Sequence, residues 1–250
     1  VESLAEPKTI DLINRFVNDQ TKGLIPAVLS KPPDDTGLIA INALHFKDRW
    51  QIPFDPARTR TASFQKADGN SIDVPMMHSS SGPYLFRQND EFVAVELSYA
   101  TDDYKLVIVT TKNAPKHFRA FAPIADWLGG QGFALASGYV AIPKFASSDS
   151  ADLLATLDSL GLKTARSEPG SLGGLSAEAQ KISGIVQKTE LRINEEGTVA
   201  TAATAVVAEL MNDRQNYVNL VVDKPFVFAM RDHRTGLVLV TGYIGEPMVA

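Results

Sequence analysis

Cysteine is missing altogether from the 250 residues, which excludes disulfide bridges, thiol catalysis and cysteine-held zinc. No apolar run approaches the ~20 residues that a spanning helix needs, so the chain is not read as an integral membrane protein. Basic blocks are missing too. The 24 Lys and Arg stand against 29 Asp and Glu, and a formal charge of −5 offers no footprint for nucleic acid. There is no Gly-x-Ser-x-Gly elbow, no P-loop and no Gly-x-Gly-x-x-Gly after a strand. None of the four histidines, His45, His78, His117 and His233, has a second ligand at metal spacing, so no metal site is expected. The carboxylates between Glu190 and Glu196 read as a solvated strand end rather than an acid/base pair. Nothing points to an enzyme or to a cofactor. The opening residues VESLAEP have neither a basic start nor an apolar stretch, so no signal peptide is read there.

What the chain does have is ordinary globular material, with 44% hydrophobic and 21% charged residues, which excludes disorder of the whole. Pro7 to Gly23 reads as an amphipathic helix capped by Thr9, with Ile10, Ile13 and Phe16/Val17 at helical spacing and Gly23 as its stop. Lys31 to Asp35 is a turn cluster. Leu38 to Phe46, LIAINALHF, suits a strand buried on both faces, in which the amide of Asn42 must find partners. His45, in the same run, reads as a satisfied core or edge histidine.

Short strands follow. Ala67-Asp68-Gly69-Asn70 and Ala100-Thr101-Asp102-Asp103 are hairpin signals between apolar runs. Phe118 to Leu128 is helical in spacing, and Tyr139 to Phe145 is a strand interrupted by Pro143. Ser150 to Leu160 reads as a capped amphipathic helix, Arg166 to Leu175 as a loop, and Ile185 to Ile193 as a strand. Two β runs flank Asp232 to Gly236. No repeat or linker divides the chain, and the expected class is α+β in one domain, residues 1–250, dominated by antiparallel strands.

One stretch is undecided on propensity. After Asn194-Glu195-Glu196-Gly197-Thr198 comes VATAATAVVA, in which alanine favours helix while threonine and valine favour strand. In an extended chain, Thr198, Ala200, Ala202, Thr204 and Val206 all point one way and all are small or medium. Such a strand can slide between two others without clashing with the layer beneath. Taken alone, the segment reads as an Ala-rich surface helix; its flanks argue otherwise.

Together, several motifs resemble the serpin family of protease inhibitors along the whole chain. Leu38–Trp50 (LIAINALHFKDRW) looks like the third strand of that family's large sheet. Phe54-Asp55-Pro56, Thr61–Phe64 and Val74-Pro75-Met76-Met77 resemble the block after it, and YVAIPKF (Tyr139–Phe145) resembles a Leu-Pro-Lys-Phe strand. Asn194–Ala208 is similar to the hinge of the reactive loop, and Lys224–Phe228 with Thr241–Ile244 and Pro247 to the C-terminal signature. Each motif is weak, but five in the right order are specific.

The resemblance implies a multi-sheet α+β fold with a mobile reactive-centre loop at about 195–220, exposed from Gly197 to Leu220. It also implies that the family's N-terminal helices, roughly a third of its domain, lie upstream of this chain. The implied function is suicide inhibition of a serine protease, with no catalytic residues, by insertion of the cleaved loop into the large sheet; the alternatives are an inert fragment or a non-inhibitory binding protein. The implied hinge is Glu195, Glu196, Gly197, Thr198, Ala200, Ala202 and Ala203. The implied sheet-opening region is Asn42, Gln187 and Trp50, with Gln187 where the family usually has a histidine bonded to the asparagine.

The family's usual spacing, fourteen residues on from Gly197, implies a reactive bond at Met211–Asn212, with Leu210 and Arg214 as rivals. Met211 favours chymotrypsin-, elastase- or subtilisin-like partners, whereas Arg214 would attract a trypsin-like one. An upstream segment of the same protein is a further expected partner. Nucleic acid and membrane are not expected, and an extracellular or periplasmic setting is favoured.

Overall fold

Ile10, Ile13 and Val17 recur at helical spacing in a stretch without internal glycine, and Pro7–Gln20 form helix α1. The helix begins at Pro7, so Thr9 lies inside the first turn, buried, and is not the cap that the sequence suggests. Lys22 and Gly23 adopt positive φ and end the helical path, the Gly23 N–H closing on Asn18 O at 2.8 Å. The computed structural model describes residues 7–30, 38–163, 172, 174, 182–198 and 217–248. Lys31–Asp35, most of the 166–175 loop and residues 199–216 therefore lie outside the described residues.

The described strands are β1 (Leu38–His45), β2 (Asp48–Arg49), β3 (Arg60–Gln65), β4 (Ser71–His78), β5 (Gly82–Gln88), β6 (Phe92–Ser98) and β7 (Tyr104–Thr111). After a 3-10 helix at Phe118–Gly129 come β8 (Ala134–Pro143), β9 (Phe145–Asp152), β10 (Ile182–Asn194), β11 (Gly197–Thr198), β12 (Val218–Val221), β13 (Phe226–Asp232) and β14 (Val238–Ile244). A short helix, α2 (Leu154–Leu157), follows β9. The chain divides into two compact units, residues 1–46 with 147–191 and residues 47–146 with 192–250.

In the first unit β1 runs parallel to β10, with Asn42 opposite Gln187. Val17, Ile25 and Val28 pack with Ile41, Ala43 and Val186. Asn14 pins the chain after the helix: its side-chain oxygen accepts from the N–H groups of Val28 and Leu29 at 2.8 and 3.0 Å. Two expectations are corrected here. β1 is half-buried, with Ala40 and Asn42 exposed, because among the described residues β10 is its one strand partner. Residues 150–152 belong to β9, because pairing with β10 outweighs the local apolar periodicity, and the helical path starts only at Leu154, running through α2 into a π-helical turn at Asp158–Leu162. His45 lies half-buried at the end of β1.

The second unit is built on a nine-stranded sheet in the order β14-β13-β7-β6-β5-β8-β4-β3, with β12 paired to β8. Both hairpin signals form turns, β3 pairing β4 and β6 pairing β7. The runs FVAVELS, KLVIVTT and FVFAMR are almost wholly buried, as strands covered on both faces should be. Pro143 ends β8 rather than interrupting a strand, so its missing N–H costs the ladder little.

Two charges lie inside this core. Arg231 on β13 donates from Nη2 and Nε to Glu96 Oε2 on β6, at 2.5 and 3.2 Å. Gly130 ends the 3-10 helix at φ 79°, and a Cβ there would stand 2.4 Å from the Arg231 guanidinium. Removing one partner strands the other charge away from water. Glu96→Ala is expected to cost about 3–5 kcal/mol, while the double change Glu96→Leu with Arg231→Met recovers most of the loss. Urea unfolding of the three proteins checks both expectations.

Candidate functional site

The chain reverses direction at Glu195 and Glu196, and nearly every polar group of that turn has a partner. Asn194 Oδ1 accepts from the N–H groups of Glu196 and Gly197 at 3.0 and 3.2 Å, a side-chain-closed turn. The carbonyls of Asn194, Glu195 and Glu196 accept, in turn, from Trp50 Nε1 at 2.9 Å, Phe54 N at 2.8 Å and Trp50 N at 2.9 Å. Trp50, 3% exposed, thus grips the turn by ring and backbone together.

Glu195 is buried, 8% exposed as a residue, not the solvated strand end expected of it. Oε1 accepts from Thr59 Oγ1 at 2.7 Å, and Oε2 pairs with Lys144 Nζ at 3.0 Å. Burial raises its pKa, but the hydrogen bonds from Thr59 and the backbone and the Lys144 ammonium more than offset this and hold it below the ordinary 4.5.

Gly197 and Thr198 then form β11, lodged between the end of β10 and β2. Gly197 faces Asn194 on one side and Arg49 on the other; Thr198 faces Ile193 and Asp48. Gly197 has φ 143°, and a Cβ there would lie 2.3 Å from Asp48 O and 2.6 Å from Arg49 Cα. Only glycine fits. Thr198 is fully buried, its hydroxyl 2.8 Å from the phenol of Tyr99. Burial drives the Tyr99 pKa up, opposed by this hydrogen bond, so the phenol stays neutral. The Tyr99 ring stacks on Trp50 at 4.6 Å and 17°, and Phe54 meets Trp50 edge-on at 6.4 Å.

The structure thus gathers Trp50, Glu195, Glu196, Gly197 and Thr198. Asn42 and Gln187 are backbone neighbours in the first unit, but Asn42 is exposed and no hydrogen bond joins their side chains among the described residues. Ala200, Ala202, Ala203, Leu210, Met211, Asn212 and Arg214 lie outside the described residues.

The expected exposed loop is shortened at both ends. Gly197 and Thr198 are buried, and Val218–Val221 is a strand, with Leu220 fully buried. Lys144, Thr59, Phe54 and Tyr99 complete the site and escaped sequence reasoning. Only Lys144 carried a signal, a lone charge between Pro143 and Phe145 that needs a counter-charge.

The two-residue strand β11 is thus held between the end of β10 and β2, in a setting closed by Trp50, Tyr99 and Glu195. The family model described as Serpin (serine protease inhibitor) matches residues 2–247, and the chain belongs to that family. It is 31% identical to plasminogen activator inhibitor 1 of Mus musculus over 94% of this chain and 61% of that protein. Among solved structures it is similar to Serpin48 of the insect Tenebrio molitor, with TM-score 0.84, 26% identity, and 96% of this chain and 65% of that one covered. Human thyroxine-binding globulin, complexed with its ligand, shares the fold at TM-score 0.82 and 24% identity, covering 98% and 66%. The chain therefore spans about 61% of the length of that inhibitor relative.

A carboxyl held below its ordinary value stabilises the fold fully above pH 4.5 and progressively less as pH falls through the folded value. Glu195→Gln is expected to lower stability by about 1–2 kcal/mol at neutral pH. The gap between variant and parent should close as the solution is acidified. Urea midpoints measured across pH check both the size and the direction.

Proposed function

We propose that this chain is the C-terminal two-thirds of a suicide-type serine protease inhibitor, in which residues 199–216 present the bait. The observation that carries the reading is β11: Gly197 and Thr198 already occupy a slot between two strands and bond to both. Insertion of a loop as a sheet strand is a general property of the family. Each further residue that follows Thr198 gains sheet hydrogen bonds worth roughly 1 kcal/mol net. Ten or so give on the order of 10 kcal/mol, comparable to the stability of a domain. That drives the acylated protease across the sheet before water releases it. Ala200, Ala202 and Ala203 keep the inserting face small.

The paired register of β1 and β10 from Leu38 to Glu190 is the seam that insertion has to open. Exposed Leu12 and Phe16 on α1, 45% and 65% accessible, line an apolar groove of about 780 Å³ against β1. An upstream segment of the same protein covers it in this reading. A non-inhibitory binding protein is the rival, as a thyroxine-binding relative of the fold illustrates. It would call for charged, bulky or proline residues between Thr198 and Val206, and the sequence has none.

Thr198→Arg or Ala200→Arg in the full gene-encoded protein is expected to turn inhibitor into substrate, since a long charged side chain cannot enter the buried layer. Thr198 is fully buried against Tyr99, so the effect should be strongest there. Denaturing gels after protease treatment should show cleavage without the covalent complex; complexes at parental yield from both variants would exclude insertion.

The target follows from Met211, whose long unbranched side chain suits a hydrophobic specificity slot of chymotrypsin, elastase or subtilisin type. Cleavage at the rival Arg214 would lengthen the inserted strand by three residues, leaving slack in the tether. Mass spectrometry of the released peptide is expected to find Asn212 at its start. A peptide starting at Gln215, with a stable trypsin complex, would reassign the bond.

A further inference from the structure

Beside the hinge turn, on the nine-stranded sheet, lies a group of side chains that the hinge does not use. The 3-10 turn Pro56–Arg58 is capped by Asp55 and leads into Arg60 at the start of β3. Arg58 donates to Ser79 O at 3.2 Å and meets Asp55 only at 4.0 Å, both side chains half exposed. Arg60 is exposed and has no ion pair with another described residue. On the neighbouring strands the His78 ring stacks on Tyr139 at 5.9 Å, and Nδ1 bonds the Tyr139 hydroxyl. Tyr217, 47% exposed, bonds Ser81 Oγ at 2.8 Å through its phenol. Burial raises the Tyr139 pKa while the charges of Arg60 and Arg58 oppose the rise, which places both arginines within electrostatic reach of that ring.

We propose that Arg58, Arg60, His78, Tyr139 and Tyr217 form a docking surface for an acidic patch on the target protease. The proposal rests on the inhibitor reading above. Position is the first argument. Tyr217 is the first described residue after the bait, five residues beyond Asn212, so at most about 18 Å of extended chain separates it from the bond under attack. A protease seated on that bond has its own rim over this surface.

Composition is the second argument. Exposed arginine and tyrosine with little competing acid is the make-up of protein recognition surfaces. A polyanion is disfavoured, because it needs a track of cations, whereas here two arginines stand on a chain of net charge −5. A local positive spot on an acidic protein raises encounter rates with an oppositely charged partner and leaves the later strand insertion alone.

The test is the association rate of the full gene-encoded protein with chymotrypsin, elastase and subtilisin, at about 20 mM and about 300 mM salt. Arg60→Glu is expected to slow association with the preferred protease about tenfold at low salt and about twofold at high salt. Stoichiometry and the unfolding transition should not change. Arg60→Lys should keep most of the rate, and Tyr217→Ala should slow association at both salt levels.

Rapid complex formation by Arg60→Glu and Tyr217→Ala, both within twofold of the parent, would overturn the docking surface and leave the inhibitor reading intact. Failure of the parent to form a covalent complex with any of the three proteases would overturn both. Loss of heparin-column retention by Arg60→Glu, with protease rates unchanged, would assign the cluster to a polyanion and overturn the proposal.

Discussion

Glu195 brings a carboxylate into a place where water hardly reaches, and its partners decide where the chain turns. A buried charge is tolerable only when its lone pairs are used, and here Thr59 and Lys144 occupy both oxygens. Because those partners sit on the turn before β3 and at the junction of β8 and β9, the end of β10 is tied to two distant parts of the sequence. The reversal that follows is thereby held in one place. Once the chain has reversed there, Gly197 and Thr198 have no path except the slot beside β2.

The aromatic platform makes that slot selective. Trp50 binds the turn through its indole and its backbone, and Tyr99 lies flat on it with its hydroxyl turned toward Thr198. A residue entering the slot must therefore be small and must offer a hydrogen bond or nothing at all. Gly197 satisfies the first requirement by lacking a Cβ where the backbone of β2 leaves no room.

The second unit is the more completely covered of the two. Strands β6, β7 and β13 are buried on both faces, and the Glu96–Arg231 pair across them fixes their register with a directed bond that apolar packing alone lacks. The first unit is looser in its coverage. β1 is half-buried and α1 exposes Leu12 and Phe16.

Much of this was legible in the residues. The period of α1, the hairpin turns at Asp68-Gly69 and Thr101-Asp102, the apolar strands and the order of five weak motifs follow from short-range preferences that the sequence carries openly. The small-residue register from Thr198 onward is local as well. What the tertiary structure alone decided are the matters in which a distant strand outbids a local preference. Residues 150–152 read as helix but pair with β10, and Asn42 sits in an apolar run but faces water. Glu195 looks like a solvated strand end, yet it finds Lys144, 51 residues away. Burial and ion pairing depend on which surfaces meet, and sequence spacing cannot encode that meeting until the sheet has formed.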